Sequence, residues 1–165
     1  MRKVIVKLVG TSTLSQSRKY TENQAPKHPK ESPADYEVRT WRHRMHVEKS
    51  TGRVLIPPMA FQRCLFESAK RLAIKVPGKG NMRYTKSFEA GVMVVQPLVL
   101  PVKADDVPGE ELFVPSDGRK GGSSRVMKFF PQIEEWGGEV TFHIIDDLIT
   151  EDVFEEVLKN AGIGS

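Results

Sequence analysis

Nucleophilic and metal-assisted chemistry need particular side chains at particular spacings, and this chain offers few. His43-x-x-His46 brings two imidazoles close in sequence, but a zinc site takes three or four ligands and no second ligand cluster accompanies the pair. Asp105-Asp106 and Asp146-Asp147 are adjacent carboxylates at the ends of elements. Two-metal hydrolysis needs carboxylates converging from separate elements, whereas neighbouring aspartates usually solvate turns or cap helices. Cys64 is the one cysteine, which excludes an internal disulfide and a thiolate cluster; its place in an apolar stripe suits a small buried hydrophobe. Asp35 is a weak catalytic candidate, since a carboxylate held beside a ribose 2′-hydroxyl can assist strand cleavage when its geometry is fixed. The expectation is a protein that is not an enzyme and holds no metal or cofactor.

Positive charge carries more information. The net charge is +4, but residues 1–103 hold 20 Lys and Arg against 7 Asp and Glu, a net of +13, and residues 104–165 hold 5 against 14, a net of −9. A basic stretch of that density concentrates an anionic polymer and speeds its capture, which points to nucleic acid. A solvated basic surface, or one meeting the acidic part of another subunit, fits the same count. Tyr36 and Trp41 are interleaved with Arg39, Arg42 and Arg44, a pattern that offers rings to bases and guanidinium groups to phosphates; alternatively Trp41 packs inside the domain. Residues 75–86, KVPGKGNMRYTK, form a loop carrying Lys79, Arg83 and Lys86, whose glycines let backbone approach phosphate. The loop lacks the spacing of a Walker sequence.

The elements that must position these groups follow from apolar period and turn chemistry. Residues 3–9 alternate as a strand, with Lys3 and Lys7 on the face opposite the core. Residues 15–33 are polar, lack an apolar period and are expected to be mobile; residues 35–49 follow as the aromatic and arginine segment, or as a two-stranded excursion. Apolar positions at offsets of three and four predict a helix over 59–73, with Arg63, Lys70 and Arg71 off its stripe. Residues 89–95 and 98–102 read as two extended runs split by Pro97. Residues 112–115 and 126–130 flank a turn-rich stretch that predicts a protruding hairpin, with Arg119, Lys120 and Arg125 near its tip. Residues 139–146 alternate as a strand, and 150–161 read as a helix capped by Thr150 and stopped by Gly162.

With 39% hydrophobic and 28% charged residues the composition is that of a globular protein. The longest apolar run, 91–100, is interrupted by Gln96 and Pro97 and is far short of the ~20 residues that span a bilayer. The expectation is a cytoplasmic protein without membrane contact.

This element order is five-sixths of an α+β, ferredoxin-like (RRM-like) βαββαβ palm. Ile56-Pro57-Pro58-Met59-Ala60-Phe61-Gln62-Arg63-Cys64-Leu65-Phe66-Glu67 resembles the start of the first helix in the RAMP superfamily (repeat-associated mysterious proteins), and Leu8-Val9-Gly10-Thr11-Ser12 resembles the end of its first strand. The superfamily includes RNA-binding backbone subunits of CRISPR effector complexes. The resemblance implies a single domain over 1–165, with a web insert at 15–54 and a thumb hairpin at 107–138 that wedges between bases of guide RNA. It also implies contacts from Arg63 and Lys70 to phosphates, and partners that are single-stranded RNA, other effector subunits or head-to-tail copies of the chain. Two departures stand out: Cys64 lies near the place of a usual glycine, and the chain stops at Gly162-Ile163-Gly164-Ser165 where the family continues into a last palm strand. That leaves truncation, a strand lent by a partner, or an open docking edge.

Three functions fit these residues. The first is sequence-independent binding of single-stranded guide RNA, as an oligomeric antiviral-defence subunit. The second is a phage-borne mimic of a backbone subunit that binds effector proteins as an anti-CRISPR decoy. The third is an endoribonuclease using Asp35, or His43 and His46, without a metal.

Overall fold

The computed structural model describes residues 1–21, 24–116 and 124–164, which form a mixed α+β protein. In chain order the elements are β1 (Arg2–Val9), α1 (Pro33–Thr40), β2 (Arg53–Ile56), α2 (Pro58–Leu72), α3 (Thr85–Ala90), β3 (Val92–Val94), β4 (Leu98–Lys103), β5 (Gly109–Pro115), β6 (Arg125–Pro131), β7 (Gly137–Ile144) and α4 (Glu151–Gly164). Short 3-10 turns occupy Trp41–Arg44 and Ala104–Asp106. Among the described residues no helix is long and apolar enough to cross a membrane, and the strands form three small sheets with no barrel. The chain divides into two compact units: Met1–Leu8, Ile56–Leu98 and Gly138–Ser165 form the first, and Val9–Leu55 with Val99–Gly137 the second. The inserts expected at 15–54 and 107–138 fall in the second unit, apart from the last residue of the latter.

In the first unit the sheet order is β1-β7-β3, with β3 antiparallel to β7 and Val92, Met93 and Val94 opposite Ile144, His143 and Phe142. The period of two on β7 sends Val140, Phe142 and Ile144 inward, and all three are buried; each such side chain contributes roughly 1.5–3 kcal/mol relative to exposure. α2 begins with Pro58 at a position where a missing N–H costs nothing and ends at Ala73, whose φ of 51° turns the chain out of the helix. Its stripe places Leu65, Ser68 and Ala69 in the core. Ser68 donates to the Val157 carbonyl of α4 at 2.8 Å, so the one polar group of that stripe is satisfied where the helices meet. Phe154 of α4 meets Phe142 edge-on at 5.6 Å and stacks on Phe88 at 6.4 Å.

In the second unit β2 pairs with β4, and β5 with β6 in antiparallel register from Gly109↔Pro131 to Pro115↔Arg125. Val54, Leu100, Met45, Val107 and Ile133 are buried there. The described residues of 15–33 have little regular structure, and several of their side chains are tied to the rest of the unit by hydrogen bonds. Gln16 donates to Leu55 O at 2.9 Å and accepts from His46 N at 2.7 Å. Tyr20 shares a hydrogen bond with Thr40 at 2.9 Å, and Tyr36 donates to Ala25 O at 2.8 Å.

Several expectations are corrected. The aromatic and arginine segment expected at 35–49 is not a two-stranded excursion: residues 33–44 are helical, because Ser32 accepts from Asp35 N at 3.1 Å as an N-cap and Pro33 opens the first turn. Glu89 and Ala90 belong to α3, since burial of Tyr84 and Phe88, one helical turn apart, favours helix over strand. The runs on either side of Pro97 join different sheets. α4 passes Gly162 and continues to Gly164; Thr150 caps it, accepting from Val153 N at 3.4 Å.

Gly10 is required by close approach. A Cβ there would lie 2.4 Å from Nε1 of Trp136, whose ring is held by a bond from Nε1 to Ser12 O (2.8 Å), while Gly10 N donates to Trp136 O at 2.8 Å. Gly10→Ala is expected to destabilise the protein by about 1–3 kcal/mol, read as a lower urea midpoint at unchanged slope.

Candidate nucleic-acid interface

The densest group of cations lies in the first unit, along one acid-free stretch. Lys70 and Arg71 are exposed in the last turn of α2; Lys75, Lys79 and Arg83 follow on the loop, and Lys86 on α3. The loop is shaped by its backbone. Lys75 and Arg83 form an antiparallel bridge, Val76 N donates to Met82 O at 2.8 Å, and Tyr84 N donates to Ile74 O at 3.1 Å. Buried Val76 and Tyr84 anchor its base. At its tip Gly78 and Gly80 take φ of +71° and +60°, and nothing lies within 4 Å of where a Cβ would sit on either. Lys79 stands between them and is exposed. Lys70, Lys79, Arg83 and Lys86 pair with no carboxylate among the described residues. Exposed cations around an open, glycine-bearing backbone are suited to phosphate.

Elsewhere the sequence-predicted set divides. Lys3 and Lys7 are exposed on β1. Arg63 pairs with Glu67 one turn along α2 at 3.3 Å, an exposed pair of small energetic value. Arg39 is held by Glu31 through two bonds of 2.8 and 2.9 Å and by Pro26 O at 2.8 Å, and it lies 5.5 Å from the Tyr36 ring. The Arg39 guanidinium lowers the Glu31 carboxyl to about 2. Arg44 is mostly buried against Glu37, with one bond of 2.8 Å and a second, shorter one, and it donates to Phe129 O at 2.7 Å. Trp41 is 5% exposed and stacks on Phe129 at 6.0 Å, so its faces are enclosed. Arg42 lies over that ring at 4.3 Å. Arg125 is exposed at the start of β6. Arg119 and Lys120 lie outside the described residues.

The hairpin carries an apolar feature that the sequence reading passed over. Phe113, 59% exposed, lies directly across the β5–β6 ladder from Met127, 42% exposed, and the Pro115–Arg125 pair continues the same face. The signal was present as Glu111 and Phe113 alternating along a strand. Only the register shows that Met127 joins Phe113. A large exposed apolar pair beside a guanidinium can insert between bases or stack on them.

The catalytic candidates are not drawn together. Asp35 accepts from Ser32 Oγ at 2.6 Å at the start of α1. His43 is exposed with its ring 5.6 Å from Tyr20. His46 is half-buried, and burial, with Arg18 adding to it, lowers its pKa. Among the described residues no group of three or more His, Cys, Asp or Glu is placed to hold a metal ion. Compared with known proteins, the chain matches no family model, no curated sequence and no solved structure.

Two outcomes follow from the internal ion pairs. Glu37→Ala strands the Arg44 guanidinium in a largely dry site and is expected to cost about 3–5 kcal/mol in chemical denaturation. The lowered Glu31 carboxyl makes its pairing fully effective above the ordinary carboxylate value of 4.5 and lost as pH falls towards about 2. An NMR titration should therefore find Glu31 ionised at pH 3, and Arg39→Ala should return it to the ordinary carboxylate range.

Proposed function

We propose that this chain is a non-catalytic RNA-binding protein of the RAMP type, which grips single-stranded RNA without reading its sequence, as a backbone-like subunit of a CRISPR effector assembly in the cytoplasm. The observation that carries the reading is the acid-free run from Lys70 to Lys86, in which six cations surround an open glycine loop. Phosphates bind along that run in the first unit. In the second unit Phe113 and Met127, with Arg125 beside them, offer a wedge to unstacked bases. Trp41 has no part in this, because its ring is enclosed.

The layout supports the same reading. The order β1-β7-β3, with α2 preceding β3 and α4 following β7, supports reading this sheet as a ferredoxin-like βαββαβ palm without its fourth strand. The β5–β6 hairpin is inserted between β3 and β7, at the chain position of the family's thumb. Partners of this class are guide RNA together with other effector subunits or further copies of the chain.

The test is fluorescence anisotropy with labelled single-stranded RNA of two unrelated sequences over a range of salt. Similar affinities for both and a linear fall of log affinity with log salt are expected. Replacing Lys79, Arg83 and Lys86 together by Gln should reduce that slope by about 2, at roughly 0.7 per phosphate contact for single strands. Phe113→Ala should weaken binding by about 1–3 kcal/mol while leaving the slope unchanged. Absence of binding at low salt, or affinity indifferent to salt, overturns the reading.

A further inference from the structure

β1 is an open edge. Among the described residues it pairs with β7 on one side and with no strand on the other. Natural edges are guarded by shortness, proline or an inward-pointing charge. β1 runs eight residues without proline; its inward positions Val4, Val6 and Leu8 are apolar, and the one charge on that face, Arg2 at the start of the strand, is engaged by a hydrogen bond to Ile149 O, which leaves the middle and end of the edge unguarded. Those three are only half-buried, whereas Val140, Phe142 and Ile144 on neighbouring β7 are buried. The helical cover therefore stops partway across β1. Beside it opens a groove of about 490 Å³, floored by Val4, Val6, Ile144, Phe154 and Leu158, with Arg2 and part of Lys3 at the end where β1 begins. On the outer face Lys3, Ile5 and Lys7 are exposed, and neither lysine has a carboxylate partner among the described residues.

We propose that this edge accepts a strand from another polypeptide, an extended segment in which apolar and acidic side chains alternate. Its main chain extends the sheet from β1, its apolar side chains fill the groove against α4, and its acidic side chains meet Lys3 and Lys7 on the opposite face. Ladder hydrogen bonds supply affinity and the alternation supplies specificity. Arg2 and Lys3 border the groove where β1 begins and Glu151 and Glu155 border it on α4; the floor between them is apolar, so an acidic residue turned inward loses its hydration against Val4, Val6 and Leu158 and the guest's two faces are not interchangeable. Charge also disfavours the simplest self-pairing, because β1 laid antiparallel on β1 of a second copy about Ile5 sets Lys3 opposite Lys7 twice.

The probe is a fluorescein-labelled peptide of about seven residues with Val and Glu alternating, matched to the length of the edge. Anisotropy measures its binding to the full chain, and hydrogen exchange locates it. Saturable binding that slows exchange of β1 amides is expected. Lys3→Glu with Lys7→Glu, both at exposed positions, should weaken binding roughly tenfold and create binding of a peptide with Val and Lys alternating. The Gln replacements at Lys79, Arg83 and Lys86 should leave peptide binding unchanged, which separates this proposal from the RNA reading. No binding, protection remote from β1, or indifference to charge reversal overturns it. So does protection of β1 that grows with protein concentration without peptide, since a second copy then fills the edge.

Discussion

A guanidinium taken out of water needs a carboxylate, and Glu37 meets that need for Arg44 inside the second unit. Its two oxygens hold the guanidinium while one also accepts from Phe129 N at 2.9 Å, and Arg44 in turn donates to Phe129 O. One charge pair thus ties α1, the Trp41–Arg44 turn and β6 together. It seats Trp41 on Phe129 and fixes the base of the hairpin on which Phe113 is carried. Such a pair is costly to break and modest in net gain over an apolar substitute, so its effect is chiefly to specify one arrangement. It also decides which cations remain for a ligand. Arg39 and Arg44 are committed internally, while Lys79, Arg83 and Lys86 are not.

Elements with a strong apolar period were legible in the sequence. β1, α2, β7 and α4 were found within about three residues of their ends, because burial of one face dominates local preference. The β5–β6 hairpin was legible from its turn residues, with both strands longer at the base than expected. α1 was missed although Ser32, Pro33 and Asp35 spell a helix start, since alternating arginines and aromatics drew the segment towards a different reading. α3 was missed because its six residues are too few for a periodic signal. Trp41 illustrates a limit of composition: a ring flanked by arginines reads the same whether it faces a base or a core, and only its contact with Phe129 separates the two.

Charge was legible locally and misleading at long range. The early part of the sequence is strongly basic and the late part acidic, yet each unit is assembled from both. The first unit holds 11 Lys and Arg against 9 Asp and Glu and the second 14 against 12, a net of +2 for each. A polarity along the chain therefore does not become a polarity between units. The 70–86 cluster survives folding because its cations are neighbours in sequence and no carboxylate lies among them. Cations that are merely abundant can be answered by carboxylates from anywhere in the fold, as Glu31 and Glu37 answer Arg39 and Arg44.

The adjacency of β1 and β7 has a kinetic side. Residues 10–136 lie between the two strands, so their ladder in the first unit cannot close until β7 has left the ribosome. At about 5–20 residues per second this leaves β1 unpaired for on the order of ten seconds. Contacts of such large sequence separation also form slowly once they become available. During that interval the cations of β1, Arg2, Lys3 and Lys7, disfavour its pairing with the same strand of another nascent chain.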